Sequence, residues 1–318
     1  MRRVILIGIV IAHISAFSQG VFAPPAGQVG STAIHKDSAA IQSWGATCSA
    51  VIGPVDIADP SLGIASVGSA DDAIGMADGS VVSLGDHGTA TVSFNGIIYD
   101  GPGYDFAVFE NSFSDSFLEL GFVEVSSDGS NFFRFPSTCN LQDSLQIGPF
   151  GASDASHLNN LAGKYRAQYG TPFDLQDLSG ISGLNLDEIT HVRIVDCIGS
   201  IQTEFATYDQ HGQIINDPYP TPFPSGGFDL DAVGVIHFHA ASAIEELTPV
   251  VSLFPNPVVN RLTIGVDHFV EAIIYNIQGQ VVLVSTSNTM DCSELPSGHY
   301  RIGIRAKHTS SYSSFIKQ

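Results

Sequence analysis

Two aspartates near the end of the main body of the chain have the spacing of a metal-binding pair. Asp229 and Asp231 stand at positions i and i+2 of the run Asp-Leu-Asp-Ala-Val, and alternate residues of a β-strand share one face. Two neighbouring carboxylates repel each other, so a cation between them would relieve the repulsion. Exposure to solvent, or capping of the preceding glycine loop, is the alternative interpretation.

A second acidic group surrounds the turn Asp100-Gly-Pro-Gly-Tyr-Asp105, and Glu110 follows the apolar run after it. Aspartate readily caps the backbone of its own turn, which is the structural alternative. In a regular strand Asp105 and Glu110 would face opposite sides, so only a bend would let both bind one ion. Calcium prefers carboxylate and carbonyl oxygens. The sequence therefore predicts a Ca²⁺ site drawn from five residues: Asp100, Asp105, Glu110, Asp229 and Asp231.

The charge of the chain limits its partners. The formal net charge is -20, and residues 20–247 hold 28 of the 32 acidic residues but only five of the 12 basic ones. Nucleic-acid binding depends on basic side chains that neutralise phosphates, and anionic lipid surfaces attract basic segments. Because the chain is strongly acidic, we expect neither nucleic acid nor an anionic lipid surface to be its partner. The acidic surface would also keep an exported protein soluble without binding an ion.

No catalytic motif identifies an enzyme. The chain lacks the G-x-S-x-G, H-E-x-x-H and Walker patterns. Paired carboxylates can hydrolyse glycosides when their separation is right, so a polysaccharide hydrolase is the alternative function. His237 and His239 alternate along one strand and are a candidate metal pair, but no third ligand is evident.

The favoured function is a non-catalytic module that binds glycan or another extracellular ligand. Aromatic rings stack on sugars, and the candidates for a stacking surface are Trp44, Tyr99, Tyr104 and Tyr219. The lone tryptophan is more often a core anchor. A structural coat or matrix component that only associates with itself is the third alternative.

Residues 1–18 read as a signal peptide. Met1-Arg2-Arg3 is the positive end, Val4 to Ile14 the apolar stretch, and Ala16-Phe17-Ser18 the cleavage site. The apolar run is too short to span a bilayer, and no later run of about 18 apolar residues follows. We therefore expect a secreted protein without a membrane-spanning segment.

The four cysteines have no metal-site spacing. Three of them, Cys48, Cys139 and Cys197, lie in the body, so at most one disulfide can form there. The sequence does not say which pair would form it, and small buried thiols are the alternative for all four.

The body, residues 19–241, is predicted to be an all-β sandwich of jelly-roll type. Short runs of β-branched and aromatic residues alternate with glycine-rich and aspartate-rich turns, without the repeated βα alternation of a parallel sheet. Asp128-Gly129 predicts a hairpin turn. The proline-rich segment 216–227 must be a loop. The predicted strands are 81–84, 89–94, 105–109, 118–126, 132–135, 191–196 and 232–238.

The tail, residues 249–318 after a linker at 242–248, has an ordered set of motifs. These are Phe254-Pro-Asn-Pro257, Tyr275-Asn-Ile-Gln-Gly-Gln-Val281, Leu295-Pro-Ser-Gly-His-Tyr300 and the closing Phe315-Ile-Lys-Gln318. Gln278-Gly279 predicts a hairpin turn, and the whole predicts a small Ig-like β-sandwich. It resembles the type A sorting domain of type IX secretion. That resemblance implies export through the type IX machinery as partner, and a location on the outer-membrane surface or outside the cell.

The body resembles a family of uncharacterised secreted bacterial cell surface proteins. The similar stretches include Ser43-Trp-Gly45, Asp100 to Asn111, Phe122 to Phe132 and Gly227 to Val233. The last of these is also similar to the closing strand of galactose-binding-like jelly rolls. That resemblance implies a sandwich fold and, in many such domains, a structural Ca²⁺.

Overall fold

A computed structural model describes residues 21–241 and 251–318, apart from residues 267 and 308. The predicted signal peptide at 1–18 and the predicted linker at 242–248 lie outside these residues. Contacts divide the chain into two compact units, Met1–Ala241 and Ser242–Gln318. Each unit is described by itself below.

The body unit contains fourteen strands and five short 3₁₀ turns in the part of the chain described, and no α-helix. The strands are β1 (Ile34–His35), β2 (Ser43–Trp44), β3 (Thr47–Val51), β4 (Val82–Ser83), β5 (Thr89–Ile98), β6 (Phe106–Glu110), β7 (Gly121–Ser126), β8 (Phe133–Arg134), β9 (Thr138–Cys139), β10 (Leu158–Asn159), β11 (Tyr169–Phe173), β12 (Ile189–Asp196), β13 (Asp229–Val235) and β14 (Phe238–Ala240). The 3₁₀ turns are Pro60–Leu62, Ala70–Ala73, Ala155–His157, Leu175–Leu178 and Leu186–Glu188.

These strands form two large antiparallel sheets and one small pair. The first sheet has the order β1-β11-β6-β13-β2, with β4 also paired to β13. The second has the order β14-β5-β12-β7-β8, with β3 also paired to β5, and β9 pairs with β10. The predicted all-β sandwich is confirmed.

The alternation of side chains along β6 shows how the sequence builds the layers. Phe106 and Val108 enter the main core with residues of β5, β7 and β12 from the second sheet. Ala107 and Phe109 point to the opposite face, where Trp44 packs with its ring centroid 5.3 Å from that of Phe109. Because successive side chains of a strand point to opposite faces, this strand is covered on both sides, and all five of its residues are buried.

All seven predicted strands overlap observed strands but differ from them in one or both bounds, as the runs 118–126 and 232–238 illustrate. Residues 118–120 precede β7 as a buried irregular segment, although the prediction began the strand at Leu118. The run 232–238 is divided: β13 ends at Val235, and β14 begins at Phe238 in the other sheet. The chain leaves one sheet for the other between Val235 and Phe238, a change that this mostly apolar run does not predict.

The C-terminal unit is a small sandwich of two antiparallel sheets. Its strands are β15 (Ser252–Phe254), β16 (Arg261–Gly265), β17 (Phe269–Tyr275), β18 (Val281–Ser285), β19 (Thr289–Asp291), β20 (Gly298–Ala306) and β21 (Thr309–Lys317). The sheet orders are β15-β16-β19 and β18-β17-β20-β21. Leu262, Ile264, Ile274 and Ile302 are among the residues of its own buried core.

Candidate functional site

The five predicted ligands lie at three places in the body. Asp100 and Asp105 lie beside Asp174 at one end of β6. Glu110, at the other end of β6, is paired in the ladder with Leu230, the neighbour of Asp229. The remaining residue, Asp231, accepts hydrogen bonds from the amides of residues 78 and 79.

Asp105 acts as a structural acceptor. Its side chain is fully buried and accepts hydrogen bonds from the amide of Gly101 at 2.8 Å and the amide of Leu175 at 2.6 Å. Nδ1 of His237 lies 2.7 Å from the same carboxylate. Burial raises the pKa of Asp105, and these hydrogen bonds lower it in part. The carboxylate therefore holds the 100–105 turn, the 174–175 segment and the end of β13 together.

Asp100 and Asp174 lie close to Asp105 but are partly exposed. One carboxylate oxygen from each of the three lies within 4.8 Å of the others. Asp174 caps the 3₁₀ turn Leu175–Leu178 through the amide of Gln176. Burial and the charge of Asp174 raise the pKa of Asp100. The central carboxylate, that of Asp105, is already bonded to protein donors. An ion would therefore have to bind mainly through the partly exposed Asp100 and Asp174.

The two histidines of the sequence prediction serve different contacts. His237 bonds to Asp105, and His239 stacks on Tyr99 with ring centroids 4.2 Å apart and planes inclined by 13°. Neither belongs to a group of three candidate metal ligands among the described residues.

The most unusual carboxylate is Glu110. Its side chain is 1% exposed, and neither carboxylate oxygen has a hydrogen-bond partner within the described part of the chain. The amides of Asn111 and Ser112 face it without reaching hydrogen-bond geometry. An ionised carboxylate buried without a partner costs several kcal/mol. Glu110 therefore requires either a proton or a cation.

Glu119 and Asp229 stand next to Glu110. Glu119 is 8% exposed, and no side-chain hydrogen bond to it is present among the described residues, while Asp229 is 6% exposed and accepts a hydrogen bond from the hydroxyl of Ser83. In the part of the chain described, none of Glu110, Glu119 and Asp229 makes an ion pair. We call Glu110, Glu119 and Asp229 the buried triad.

All three carboxyl groups of the buried triad have raised pKa values, and neighbouring negative charge contributes to the increase at Glu110 and Glu119. Burial, followed by the charges of Glu119 and Asp229, raises the pKa of Glu110 well above its usual range. Burial, followed by the charges of Asp229 and Asp196, does the same to Glu119. Burial raises the pKa of Asp229 to about 6, against the hydrogen bond from Ser83. Among the described residues, the group whose carboxylate oxygens all lie within 4.8 Å of one another is Asp100, Asp105 and Asp174, so the oxygens of the triad are more widely spaced.

Further acidic residues around the triad are already satisfied by the backbone. Asp196 accepts from the amides of His87 at 2.8 Å and Phe228 at 2.7 Å. Asp217 accepts from the amide of Leu120 at 2.7 Å, and Asp86 accepts from the amide of Ile57 at 2.7 Å. Their role is to hold loops in place.

Sequence reasoning missed Glu119, whose involvement follows from the fold. Glu119 lies nine residues after Glu110, in an irregular segment without periodicity. It reaches the triad only because the loop between β6 and β7 returns across the end of the first sheet. No signal in the sequence marks that path.

The predicted aromatic residues do not meet as one surface. Trp44 packs on Phe109, and Tyr219 is 5% exposed with its hydroxyl donating to Asp56 at 2.9 Å. Tyr99 stacks on a histidine, and Tyr104 is 38% exposed without any of the other three as a ring partner.

A different set of aromatic residues lies together on the loops. Phe113 and Phe117 stack with centroids 4.5 Å apart, Phe117 and Phe150 at 6.5 Å, and Phe150 and Phe223 at 5.6 Å. We call these four the phenylalanine row. Three loops far apart in the sequence supply them, so their convergence could not be predicted from spacing.

The motif residues of the C-terminal unit hold its turns. Asn276 accepts hydrogen bonds from the amides of Gln278 and Gln280 at 3.0 Å each, and Gly279 has a φ of 79° in the predicted hairpin between β17 and β18. The hydroxyl of Tyr300 donates to the carbonyl of Pro296 at 2.7 Å. Asn276, Gly279 and Tyr300 thus each have a structural role in a turn of this unit.

Solved structures similar to the chain are remote. The apo form of the β-glucuronidase from Ruminococcus gnavus is 11% identical with a TM-score of 0.23, over 86% of this chain and 44% of that one. The BSP domain of a biofilm associated protein is 12% identical with a TM-score of 0.21, over 86% of this chain and 52% of that one. The chain spans about half the length of these structures. No curated protein matches it.

The C-terminal unit has a specific match. Residues 252–318 match the family described as the secretion system C-terminal sorting domain, over the same span as the small sandwich and its motif-held turns. Among the described residues, no helix has the length and apolar character to cross a membrane. Residues 252–318 are therefore a type IX secretion C-terminal sorting domain, and the chain is a secreted protein of the cell surface or the extracellular space.

Proposed function

We propose that the body is a non-catalytic surface module, stabilised by Ca²⁺ bound in the buried triad, that binds glycan or another extracellular ligand. The observation that carries the ion site is Glu110, which is buried with both carboxylate oxygens unpartnered. Glu119 and Asp229 supply the neighbouring negative charge.

The chemistry of the triad favours Ca²⁺ over a transition metal. All three side chains offer oxygen atoms, and Ca²⁺ takes six to eight oxygen ligands from carboxylates, carbonyls and water in flexible geometry. Softer transition metals such as Zn²⁺ and Cu²⁺ favour nitrogen and sulfur ligands, and the triad contains neither. A bound cation would offset the neighbouring negative charge that acts on Glu110 and Glu119.

The proposal predicts that Ca²⁺ raises the thermal stability of the body. A ligand at 100 times its Kd adds about 2.7 kcal/mol, which corresponds to a Tm increase of roughly 5–10 °C for a domain of this size. The measurement is a thermal melt followed by the fluorescence of Trp44, the single tryptophan of the chain, with Ca²⁺ and with a chelator.

Two variants locate the ion. Glu110→Gln keeps the shape of the side chain but removes its charge, so it should melt higher than the wild type in chelator and lose the response to Ca²⁺. Asp174→Asn, in the other acidic group, is the matched control and should keep the response. An unchanged melt on adding Ca²⁺, or an equal response in Glu110→Gln, would exclude the triad as a calcium site.

A polysaccharide hydrolase is the second candidate, and one observation bears on where its site could be. Glycoside hydrolysis requires two carboxylates that both reach the sugar, and Glu110 at 1% exposure is closed to it. The partly exposed Asp100 and Asp174 are the accessible acidic pair. Turnover of extracellular polysaccharides that disappears in Asp100→Asn would favour the hydrolase; flat progress curves for the wild type would remove it.

A further inference from the structure

We propose that an uncharged glycan chain binds along the phenylalanine row and into the groove beside it. This inference rests on the proposed function, because it names the site and the ligand class of that binding module. The row is the surface of exposed rings that the fold assembles from three separate loops, 111–120, 140–154 and 216–227.

The rings of the row are available to a ligand. Phe113 is 72% exposed and Phe150 is 73% exposed, although each has a stacked neighbour. The rings of Phe117 and Phe223 have centroids 6.5 and 5.6 Å from that of Phe150, and each plane is inclined to it by 29°. At these distances stacked rings are displaced sideways from each other. Much of each face therefore stays open, which is what the apolar face of a sugar ring requires.

A groove of about 900 Å³, lined by the apolar segment Val21 to Pro25 as well as by polar side chains, reaches the loop of the row at Asp115 and Ser116. Ser116, Ser153 and Asp154 line it, and Ser116 is the residue directly before Phe117 of the row. The amide of Ser153 donates to the carbonyl of Ser116 at 2.7 Å, which joins the two loops. Hydroxyl and carboxylate groups beside an apolar surface suit a ligand with apolar faces and hydroxyl edges.

The charges of the groove select against acidic ligands. Its charged lining residues are Asp115 and Asp154, both acidic, and Arg166 reaches Asp115 at 3.5 Å from outside the lining. Residues 20–247, the body with most of the linker, carry 28 acidic and five basic residues. Sulfated or uronate polysaccharides would be repelled, and so would a second copy of this acidic body.

The test measures binding of the full chain to immobilised neutral polysaccharides and to sulfated and uronate ones, in the presence of Ca²⁺. We expect binding to neutral glycans only. The double variant Phe113→Ala/Phe150→Ala should bind about tenfold more weakly, a loss of about 1.4 kcal/mol of binding free energy. Leu145→Ala, which removes an apolar side chain that is also 73% exposed and lies in the same 140–154 loop as Phe150, is the control and should bind normally.

Each contrary result has one meaning. Glycan binding that is unchanged in the double variant overturns the site and leaves the proposed function in place. Preference for sulfated or uronate chains overturns the ligand class. Absence of binding to any glycan, with the Ca²⁺ response intact, overturns the inference and the glycan half of the proposed function but not the ion. Self-association that the double variant abolishes, measured by sedimentation, would make the row a contact between copies and overturn the inference.

Discussion

Asp105 and Glu110 flank the same run of four residues and have opposite surroundings. Three donors from separate segments surround the carboxylate of Asp105, whereas that of Glu110 has none among the described residues. Both are buried, so the difference lies in the donors that the fold brings to each. The first stabilises a junction of loops, and the second is the carboxylate on which the proposed ion site rests. Sequence reasoning weighted both equally, because spacing reports neither burial nor donors.

Lys164 is a buried cation outside both acidic groups. It is 4% exposed, and its Nζ donates to the carbonyl of Leu158 at 2.8 Å. Burial lowers its pKa from 10.5 to about 8, against the charge of Asp154. Between these values the folded protein holds a neutral lysine while the unfolded chain holds a charged one. Unfolding then takes up a proton, so this group makes stability rise with pH from 8 to 10.5.

We predict that Lys164→Met removes this rise. Below pH 8 the variant should be more stable than the wild type by up to roughly 3 kcal/mol, less the contribution of the lost hydrogen bond, and the advantage should shrink as pH rises to 10.5. The measurement is urea unfolding of both proteins at several pH values. Buried thiols that titrate in the same window cancel in the difference. An advantage that does not change with pH would contradict the prediction.

Three neighbouring strands of the second sheet share one charged contact. Glu124 of β7 pairs in register with Arg193 of β12 and with Arg134 of β8. One of its oxygens accepts from Nε of Arg193 at 2.7 Å, and the other accepts from Nε of Arg134 at 2.9 Å. The guanidinium of Arg193 also lies 3.8 Å from the ring centroid of Phe132. Charged groups directly opposite on adjacent strands stabilise the pairing.

We predict that Glu124→Gln destabilises the body by about 1–3 kcal/mol, because it leaves two guanidinium groups without their carboxylate. The exposure of both arginines keeps the figure at the lower end. Urea unfolding followed by Trp44 fluorescence gives the value. Glu204→Gln removes an exposed acid and should have almost no effect. Equal midpoints for the two variants would show that the contact is unimportant.

Turns and alternating strands were predictable from the sequence, because their signals are local. Asp128-Gly129 forms the predicted hairpin turn, with Gly129 at a φ of 73° and Asp128 accepting from the amides of Ser130 and Asn131. The loop at 216–227 is confirmed as well. The register shift between Leu230 and Ala232 was not predictable. It interrupts the regular alternation on which the Asp229–Asp231 pair was argued, and the two carboxylates have different partners.

The functional surfaces lie where prediction is weakest. The phenylalanine row and Glu119 are on irregular segments whose paths depend on packing at the ends of the sheets. A phenylalanine in a polar loop indicates neither burial nor function by itself. Only the fold brings together side chains from positions 113, 150 and 223.

The chain as a whole consists of two units with separate buried cores. The sorting domain ends in β20 and β21, which pair along nine positions from Gly298↔Lys317 to Ala306↔Thr309. This long hairpin and the turns held by motif residues show that the sorting signal is a folded domain and not a short linear peptide.

We predict that deleting residues 252–318 stops export at the outer membrane of a host with type IX secretion. The body should accumulate inside the envelope, measured by cell fractionation and by protease access to intact cells. Ile274→Asp, which places a charge in the core of the sorting domain, should give the same result if the machinery reads the folded domain. Normal surface delivery of the truncated chain would contradict the prediction.

All four cysteines are free thiols, and three of them are almost fully shielded. Cys139 and Cys197 lie in the body, Cys292 lies in the sorting domain, and burial raises the pKa of each. A shielded thiol reacts with an alkylating reagent only when the structure around it opens. The native chain therefore has, in each of its two units, a buried thiol whose labelling reports the opening of that unit. Alkylation rates measured for the separate cysteine-containing peptides would give the rates at which the body and the sorting domain open, without any engineered probe.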